Sequence, residues 1–218
     1  MEILDLYCKA GGAGAGLSMD GTNNITGIDK EPQPRYPYKF IRCDALEFLE
    51  KHGHEFDYIH ASPPCQRDSV MTKGLWKDRI PNHPALIAPT RELLIKTGKP
   101  YDIENVPGAP LINPIILCGS MFGLGVRRHR LFETSFPILQ PSCQHKEQGR
   151  VVGVYGHAGG SSKRDGIKFP GVDAWKTAME IDWMVVDELA EAIPPAYTRY
   201  IFEQFLLYGY NIHGGPNG

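Results

Sequence analysis

The sequence predicts an α/β fold in which a doubly wound mixed sheet carries a small insert. Three observations predict it. Short apolar runs of strand length alternate with amphipathic stretches of helix length. A glycine-rich segment, Lys9-Ala10-Gly11-Gly12-Ala13-Gly14-Ala15-Gly16, follows the first run almost directly. Acidic or amide residues close several runs, and in open α/β sheets ligands gather beyond the carboxyl ends of the strands.

Glu2 to Tyr7 reads as the first strand. The glycines after it permit a sharp turn and a close approach of a ligand to the main chain. A helix starting near Gly14 would aim its first amides at that ligand. Ile25 to Ile28 is the second strand and ends in Asp29, which is placed to accept hydrogen bonds from ribose hydroxyls. A solvated turn aspartate is the plainer reading of the same residue. Phe40 to Cys43 is the third strand. Asp44 behind it either reaches an adenine amino group or caps the helix Ala45 to His52, whose inward residues are Leu46 and Leu49.

Phe56 to Ala61 is the fourth strand, and it leads into Ser62-Pro63-Pro64-Cys65-Gln66. Prolines fix φ and bias their neighbours away from helix, so a thiol after two of them is aimed before substrate arrives. An incidental cysteine in a proline-rich turn is the competing reading. Residues 67–80 are polar and basic with one tryptophan, Trp76, as suits a loop over a site. Residues 84–97 form a helix with Leu86, Ile87, Leu93 and Leu94 on its apolar face.

Lys99 to Pro107 holds the fifth strand, with Glu104 and Asn105 near its end. The fourth and fifth strands are expected to be neighbours, so Cys65 and Glu104 should face one pocket. A glutamate there is partly desolvated and suited to proton donation. Ile115 to Cys118 and Leu131 to Thr134 are the last strands. Between them, Arg128 and Arg130 would point to one side in strand register and His129 to the other. Two guanidiniums together make a phosphate or base clamp, with structural salt bridges as the alternative. Asp187 caps a helix from Glu188 to Ala192, and Ile193-Pro194-Pro195 breaks it. Ala196 to Tyr208 is a last helix with Ile201, Phe205 and Leu206 inward.

Composition narrows the function. Hydrophobic residues make up 42% and charged residues 22% of the 218, values that fit one globular domain. A net charge of −2 excludes a broad basic coat, so any polyanion contact must use a local patch. Such a patch lies in the stretch 140–182, which carries Lys146, Arg150, a glycine run from Gly156, Lys163, Arg164 and Lys168. It reads as a nucleic-acid-facing insert. The boundaries are a core at 1–138, an insert at 139–185, helices returning to the core at 186–210 and a flexible tail at 211–218. No apolar run approaches the roughly 18 residues of a membrane span, and no signal peptide opens the sequence. The five cysteines (Cys8, Cys43, Cys65, Cys118, Cys143) are scattered and odd in number, as in a reducing compartment. Cys143, His145 and His157 could form a zinc site, but no CxxC pair supports it and no metal is expected.

These elements resemble the cytosine carbon-5 DNA methyltransferase family, in that family's order. DLYCKAGGAGAGL resembles its first motif, Asp29 and Asp44 stand where its cofactor acids stand, and SPPCQ carries its nucleophile. ENV carries its glutamate, RRHRLF resembles its arginine motif and AIPPAYTRYI its last motif. The chain departs from the pattern at Lys9, where a glycine is usual, and at Val126, where a glutamine is usual. Ala190 and Glu191 stand where a Gly-Asn pair is usual. Only 24 positions separate Glu104 from Arg128, so one sheet helix is expected to be missing, because a parallel crossover needs a dozen residues or more.

The resemblance implies a Rossmann-like, class I S-adenosylmethionine-dependent methyltransferase fold with a short target-recognition insert. It implies S-adenosyl-L-methionine as cofactor, double-stranded DNA as partner, and a cytoplasmic, bacterial or phage-encoded enzyme of DNA methylation and restriction-modification. Cys65, Glu104, Arg128 and Arg130 would be catalytic. Tyr7, Ala10, Gly11, Gly12, Asp29, Lys30, Asp44, Ala45 and Pro64 would hold the cofactor, and Gln66, Ser69, Lys163 and Arg164 would meet DNA. The same reaction on RNA, or a non-catalytic DNA-binding protein that keeps the fold, are the alternatives.

Overall fold

The first strand sets the frame, because its residues are buried on both faces, as a central parallel strand requires. The computed structural model describes residues 1–64, 85–155 and 170–212. Among the described residues, seven strands form one sheet in the order β3-β2-β1-β4-β5-β7-β6. They are β1 (Glu2–Leu6), β2 (Asn24–Asp29), β3 (Lys39–Arg42), β4 (Tyr58–Ala61), β5 (Tyr101–Asn105), β6 (Ile115–Leu117) and β7 (Arg130–Thr134). The first five are parallel, and β7 runs antiparallel to both β5 and β6. The connection from β5 to β6 contains no helix, as the short spacing predicts.

Among the described residues the helices are α1 (Gly12–Leu17), α2 (Ala45–His52), α3 (Ile87–Thr97), α4 (Val172–Met179), α5 (Val186–Glu191) and α6 (Pro195–Ile212). Alternate residues of β1 enter opposite cores. Ile3 joins Leu17, Tyr58, Phe132, Trp175, Tyr197 and Phe202 on one face. Leu4 and Leu6 join Leu49, Ile59, Leu94 and Ile103, under α2 and α3, on the other. This is the doubly wound arrangement that the alternation of elements predicts.

Local chemistry explains most boundaries. Asp44 caps α2 by accepting from the N–H groups of Leu46 and Glu47, while Lys51 and His52 sit favourably in its last turn. Gly98, at φ 66, ends α3 in the left-handed cap that glycine favours. The glycines of α1 serve close packing: a Cβ on Gly12 would strike the Ile193 carbonyl oxygen, and one on Gly16 the Pro195 carbonyl oxygen. A helix of weak intrinsic propensity is thus held by the turn that precedes α6.

Several expectations are corrected. Asp187 does not cap α5; Glu188 reaches back to accept from the Val185 N–H at 3.0 Å. On α6, Phe202 is buried, whereas Leu206 is 41% exposed. The stretch expected as an insert also holds α4, whose Trp175 and Met179 enter the first core with Ile3 of β1, and whose Ala178 is buried. Spacings of three and four residues were the signal for that helix, and local glycine and charge obscured it. The described parts of 139–185 therefore help to build the core.

Candidate active site

β4 and β5 are parallel neighbours, with Ala61 beside Ile103. Their carboxyl ends carry Ser62-Pro63-Pro64 and Glu104-Asn105, and two side-chain bonds staple these together. The Ser62 hydroxyl donates to Glu104 Oε2. Asn105 Nδ2 donates to the Pro63 carbonyl at 2.9 Å, while its Oδ1 accepts from the Val106 N–H at 2.9 Å. The chain leading to Cys65 is thus fixed to the strand that carries Glu104. Cys65, Gln66, Ser69, Lys163 and Arg164 lie outside the described residues.

Glu104 is 6% exposed. Its Oε1 pairs with Arg130 Nε at 2.9 Å, and Arg130 Nη1 donates to the His129 carbonyl at 2.9 Å. The carboxylate is therefore oriented from both sides, by a hydroxyl and by a guanidinium. Ser62 and Asn105 belong to the SPPCQ and ENV motifs, and their roles emerge only from these bonds.

Arg128 is placed differently from its expectation. It is 1% exposed, and its Nη1 and Nη2 donate to the carbonyls of Val154 (2.8 Å) and Ala190 (2.5 Å). Its own carbonyl accepts from the Tyr197 hydroxyl. Burial pushes the guanidinium down to about 9. Of the two arginines, Arg130 pairs with Glu104, while Arg128 bonds the carbonyls of Val154 and Ala190. Arg128 is a strap between the start of β7, the chain at Val154 and α5; both Nη atoms bond backbone carbonyls, while Nε is buried without a partner among the described residues.

Beneath Ser62 and Glu104 lies a buried polar row. Asp5, His60 and Asp102 are in register on β1, β4 and β5, and all are fully buried. His60 Nδ1 lies 2.7 Å from Asp102 Oδ2, and the Tyr58 hydroxyl donates to Asp102 Oδ1 at 2.7 Å. The Tyr36 hydroxyl donates to Asp5 Oδ2 at 2.9 Å. Burial raises Asp5 to about 6. Burial pulls His60 down, but Asp102, then Asp5 and Glu104, outweigh it and raise the imidazole to about 9. Sequence reading missed this row because each member looks like a lone polar residue in an apolar strand.

The ends of β1, β2 and β3 hold the remaining expected positions. Asp29 is 5% exposed and accepts from the N–H groups of Lys9 (3.2 Å) and Glu31 (3.0 Å). Tyr7 is half-buried, and its hydroxyl bonds Thr90 Oγ1 at 2.8 Å. Tyr7, Lys9 and Gly11 all have positive φ (59, 46 and 86), so the loop coils tightly over the end of β1. Ala10 is buried, and its carbonyl accepts from Trp183 Nε1 at 2.8 Å. Gly11 and Gly12 face Tyr36 and Ile193, within the chain. Lys30 and Pro64 are exposed, while Ala45 opens α2 behind the cap Asp44.

Two carboxylates at the ends of adjoining strands, with a half-buried aromatic ring one strand away, suit an adenosine-bearing cofactor. Acids accept from ribose hydroxyls and the ring offers a stacking face. A separate cleft of about 500 Å³ lies between Ser18, Tyr38, Trp183 and Arg199. It sits at the carboxyl end of α1, away from these strand ends.

No family model matches the chain. A ribosomal RNA large subunit methyltransferase K/L from Pseudoalteromonas atlantica is 26% identical over 99 residues, covering 39% of this chain and 14% of that protein. A crystal structure described as a candidate DNA modification methyltransferase encoded within a prophage (E. coli) superposes with a TM-score of 0.60. The match covers 95% of this chain and 99% of that one, at 12% identity. A mutant DNMT2 of Spodoptera frugiperda gives a TM-score of 0.47 at 20% identity, over 64% of this chain and 53% of that one.

The fold is the Rossmann-like class I methyltransferase fold, with the antiparallel β7 inserted between β5 and β6. The chain spans about a seventh of the length of the curated relative it matches, and nearly the whole of the prophage-encoded structure. No described helix is long and apolar enough to cross a membrane.

Proposed function

We propose that the chain is an S-adenosylmethionine-dependent DNA (cytosine-5-)-methyltransferase. The observation that carries this reading is the double staple of Ser62 to Glu104 and of Asn105 to Pro63. It ties the segment that runs into Cys65 to a buried, oriented carboxylate on the next strand.

Carbon 5 of cytosine is a poor nucleophile until a thiolate adds to carbon 6. Cys65 as thiolate forms that sulfur–carbon bond, and the ring electrons move toward carbon 5. Glu104 bonds the ring nitrogen 3 and the amino group, offsetting charge as it develops. Arg130 holds Glu104 in place and borders the base. S-adenosylmethionine, when bound, supplies an electrophilic methyl group, and Asp29, Asp44 and Tyr7 are the residues that would hold it. Loss of the carbon-5 proton to a base then expels the Cys65 sulfur. The target atom is buried in a duplex, so the base must leave the stack, at a cost of about a few kcal/mol. The basic residues Lys163 and Arg164 would meet the DNA backbone.

The test is trapping on a duplex oligonucleotide that carries 5-fluorocytosine, with S-adenosylmethionine present. Fluorine cannot leave as a proton does, so a covalent adduct that maps to Cys65 is expected. No adduct from a folded, cofactor-binding protein would overturn the reading. A second reading, the same transfer to RNA, is favoured by the relative named as a ribosomal RNA methyltransferase. Adduct formation on fluorocytosine RNA and not on the DNA duplex would select it.

A further inference from the structure

We propose that Cys118, His129, Cys143 and His145 form a structural zinc site that ties the β6–β7 hairpin to the chain after β7. One ligand atom from each of the four lies within 4.8 Å of all the others. Cys118 Sγ is 3.2 Å from His145 Nε2, and Cys143 Sγ is 3.6 Å from His129 Nε2. A tetrahedral zinc with bonds of about 2.3 Å to sulfur and about 2.0 Å to nitrogen has sulfur–nitrogen edges of about 3.5 Å. The two observed edges bracket that length. The two imidazoles meet edge to face at 86°, with centroids 5.4 Å apart, which lets both Nε2 atoms converge without stacking the rings.

The four residues come from three separate places in the fold. Cys118 follows β6 and is fully buried, His129 precedes β7, and Cys143 and His145 lie on the segment after β7. Cys143 is exposed, which gives an ion a way in. From the sequence no metal is expected, and Cys143, His145 and His157 are the candidate ligands it offers. His157 lies outside the described residues, and folding brings up Cys118 and His129 instead.

Two thiolates and two neutral imidazoles neutralise a divalent zinc, and binding releases the two thiol protons to solvent. Four protein ligands leave no open position, so the site is structural. Its consequence is positional. The Arg130 guanidinium donates to the His129 carbonyl, and Arg127 donates to Gln148 Oε1 (2.8 Å) and to the His145 carbonyl (2.9 Å). An ion on His129 and His145 therefore fixes the arm from which Arg130 reaches Glu104. The site stands whichever nucleic acid the chain acts on.

The experiment measures metal in the full chain, purified under reducing conditions from zinc-supplemented cells and dialysed without chelator. One zinc per chain is expected by plasma mass spectrometry. Cys143→Ser and His145→Ala should lose it, and Cys43→Ser, outside the cluster, should keep it. Cobalt(II) added to metal-free wild type should give the intense visible bands of a tetrahedral site, with thiolate-to-metal charge transfer, and this spectrum should vanish in Cys143→Ser. Because Cys143 is exposed, circular dichroism of that variant should report a folded chain. Wild type without stoichiometric zinc, a weak octahedral cobalt spectrum, or retention of zinc by both variants would overturn the proposal.

Discussion

Arg130 Nε and Glu104 Oε1 lie 2.9 Å apart in a nearly buried pair, 14% and 8% exposed at their side chains. The two residues come from antiparallel strands, β7 and β5, and meet at the end of the sheet where the Ser62 turn begins. The pair gives the carboxylate one direction, and that direction is what the proposed chemistry consumes.

Arg130→Met should therefore slow methyl transfer by about 10²–10³-fold, the usual cost of removing one preorganised electrostatic partner. Cofactor affinity should hold. Single-turnover transfer from labelled S-adenosylmethionine measures the first, and calorimetry the second. A wild-type rate would remove Arg130 from the site.

Arg128→Ala should act on stability. It leaves the Val154 and Ala190 carbonyls without their donors and opens a cavity, at a cost of about 3 kcal/mol or more. Chemical denaturation reads this directly. A variant with unchanged stability but weakened DNA binding would restore the clamp that the sequence suggested.

Ser62→Ala removes one of the two partners that orient Glu104. The expected loss is about 1 kcal/mol of stability and a roughly tenfold slower transfer. Adduct formation on fluorocytosine DNA should persist, because Cys65 is untouched. Loss of the adduct would mean that Ser62 governs the cysteine loop.

Stability should fall as pH rises from about 6.5 to 9. His60 is raised to about 9 in the folded chain against 6.5 as its ordinary value. Its contribution is complete below 6.5 and is lost as the pH passes through 9, on the order of 3 kcal/mol in all. Asp5, raised to about 6, acts in the same direction but between its ordinary 3.8 and 6, below this window. Burial pushes the Tyr36 and Tyr58 hydroxyls well above 10 and the Cys8 thiol far up, so their effects lie at higher pH. Denaturation at several pH values should show the slope in wild type and its absence in His60→Gln.

Lys9→Gly should leave stability equal or raise it by up to about 1 kcal/mol. Lys9 holds φ 46, a left-handed conformation that costs a side-chain-bearing residue about 1–2 kcal/mol, against which glycine loses chain entropy. The ion pair lost, to Glu191 at 3.6 Å, is half exposed and worth little. A clear fall in melting temperature would show that Lys9 does more than fill the turn.

The sequence by itself determined the strands, the order of the motifs and the neighbouring ends that carry Pro64 and Glu104. These follow from short-range rules: apolar runs of strand length, glycine and proline at turns, and an acid where a strand ends. It also pointed to a missing sheet helix between Glu104 and Arg128, because so short a stretch leaves little room for a parallel crossover, and the fold locates that absence between β5 and β6. Only the tertiary structure decided which arginine meets the glutamate. The carbonyls that claim Arg128, at Val154 and Ala190, are distant from it in sequence. The polar row of Asp5, His60 and Asp102, and the approach of Cys118 and His129 to Cys143 and His145, were invisible for the same reason. Each is an alignment of residues across separate segments, and periodicity carries no information about which segments lie side by side.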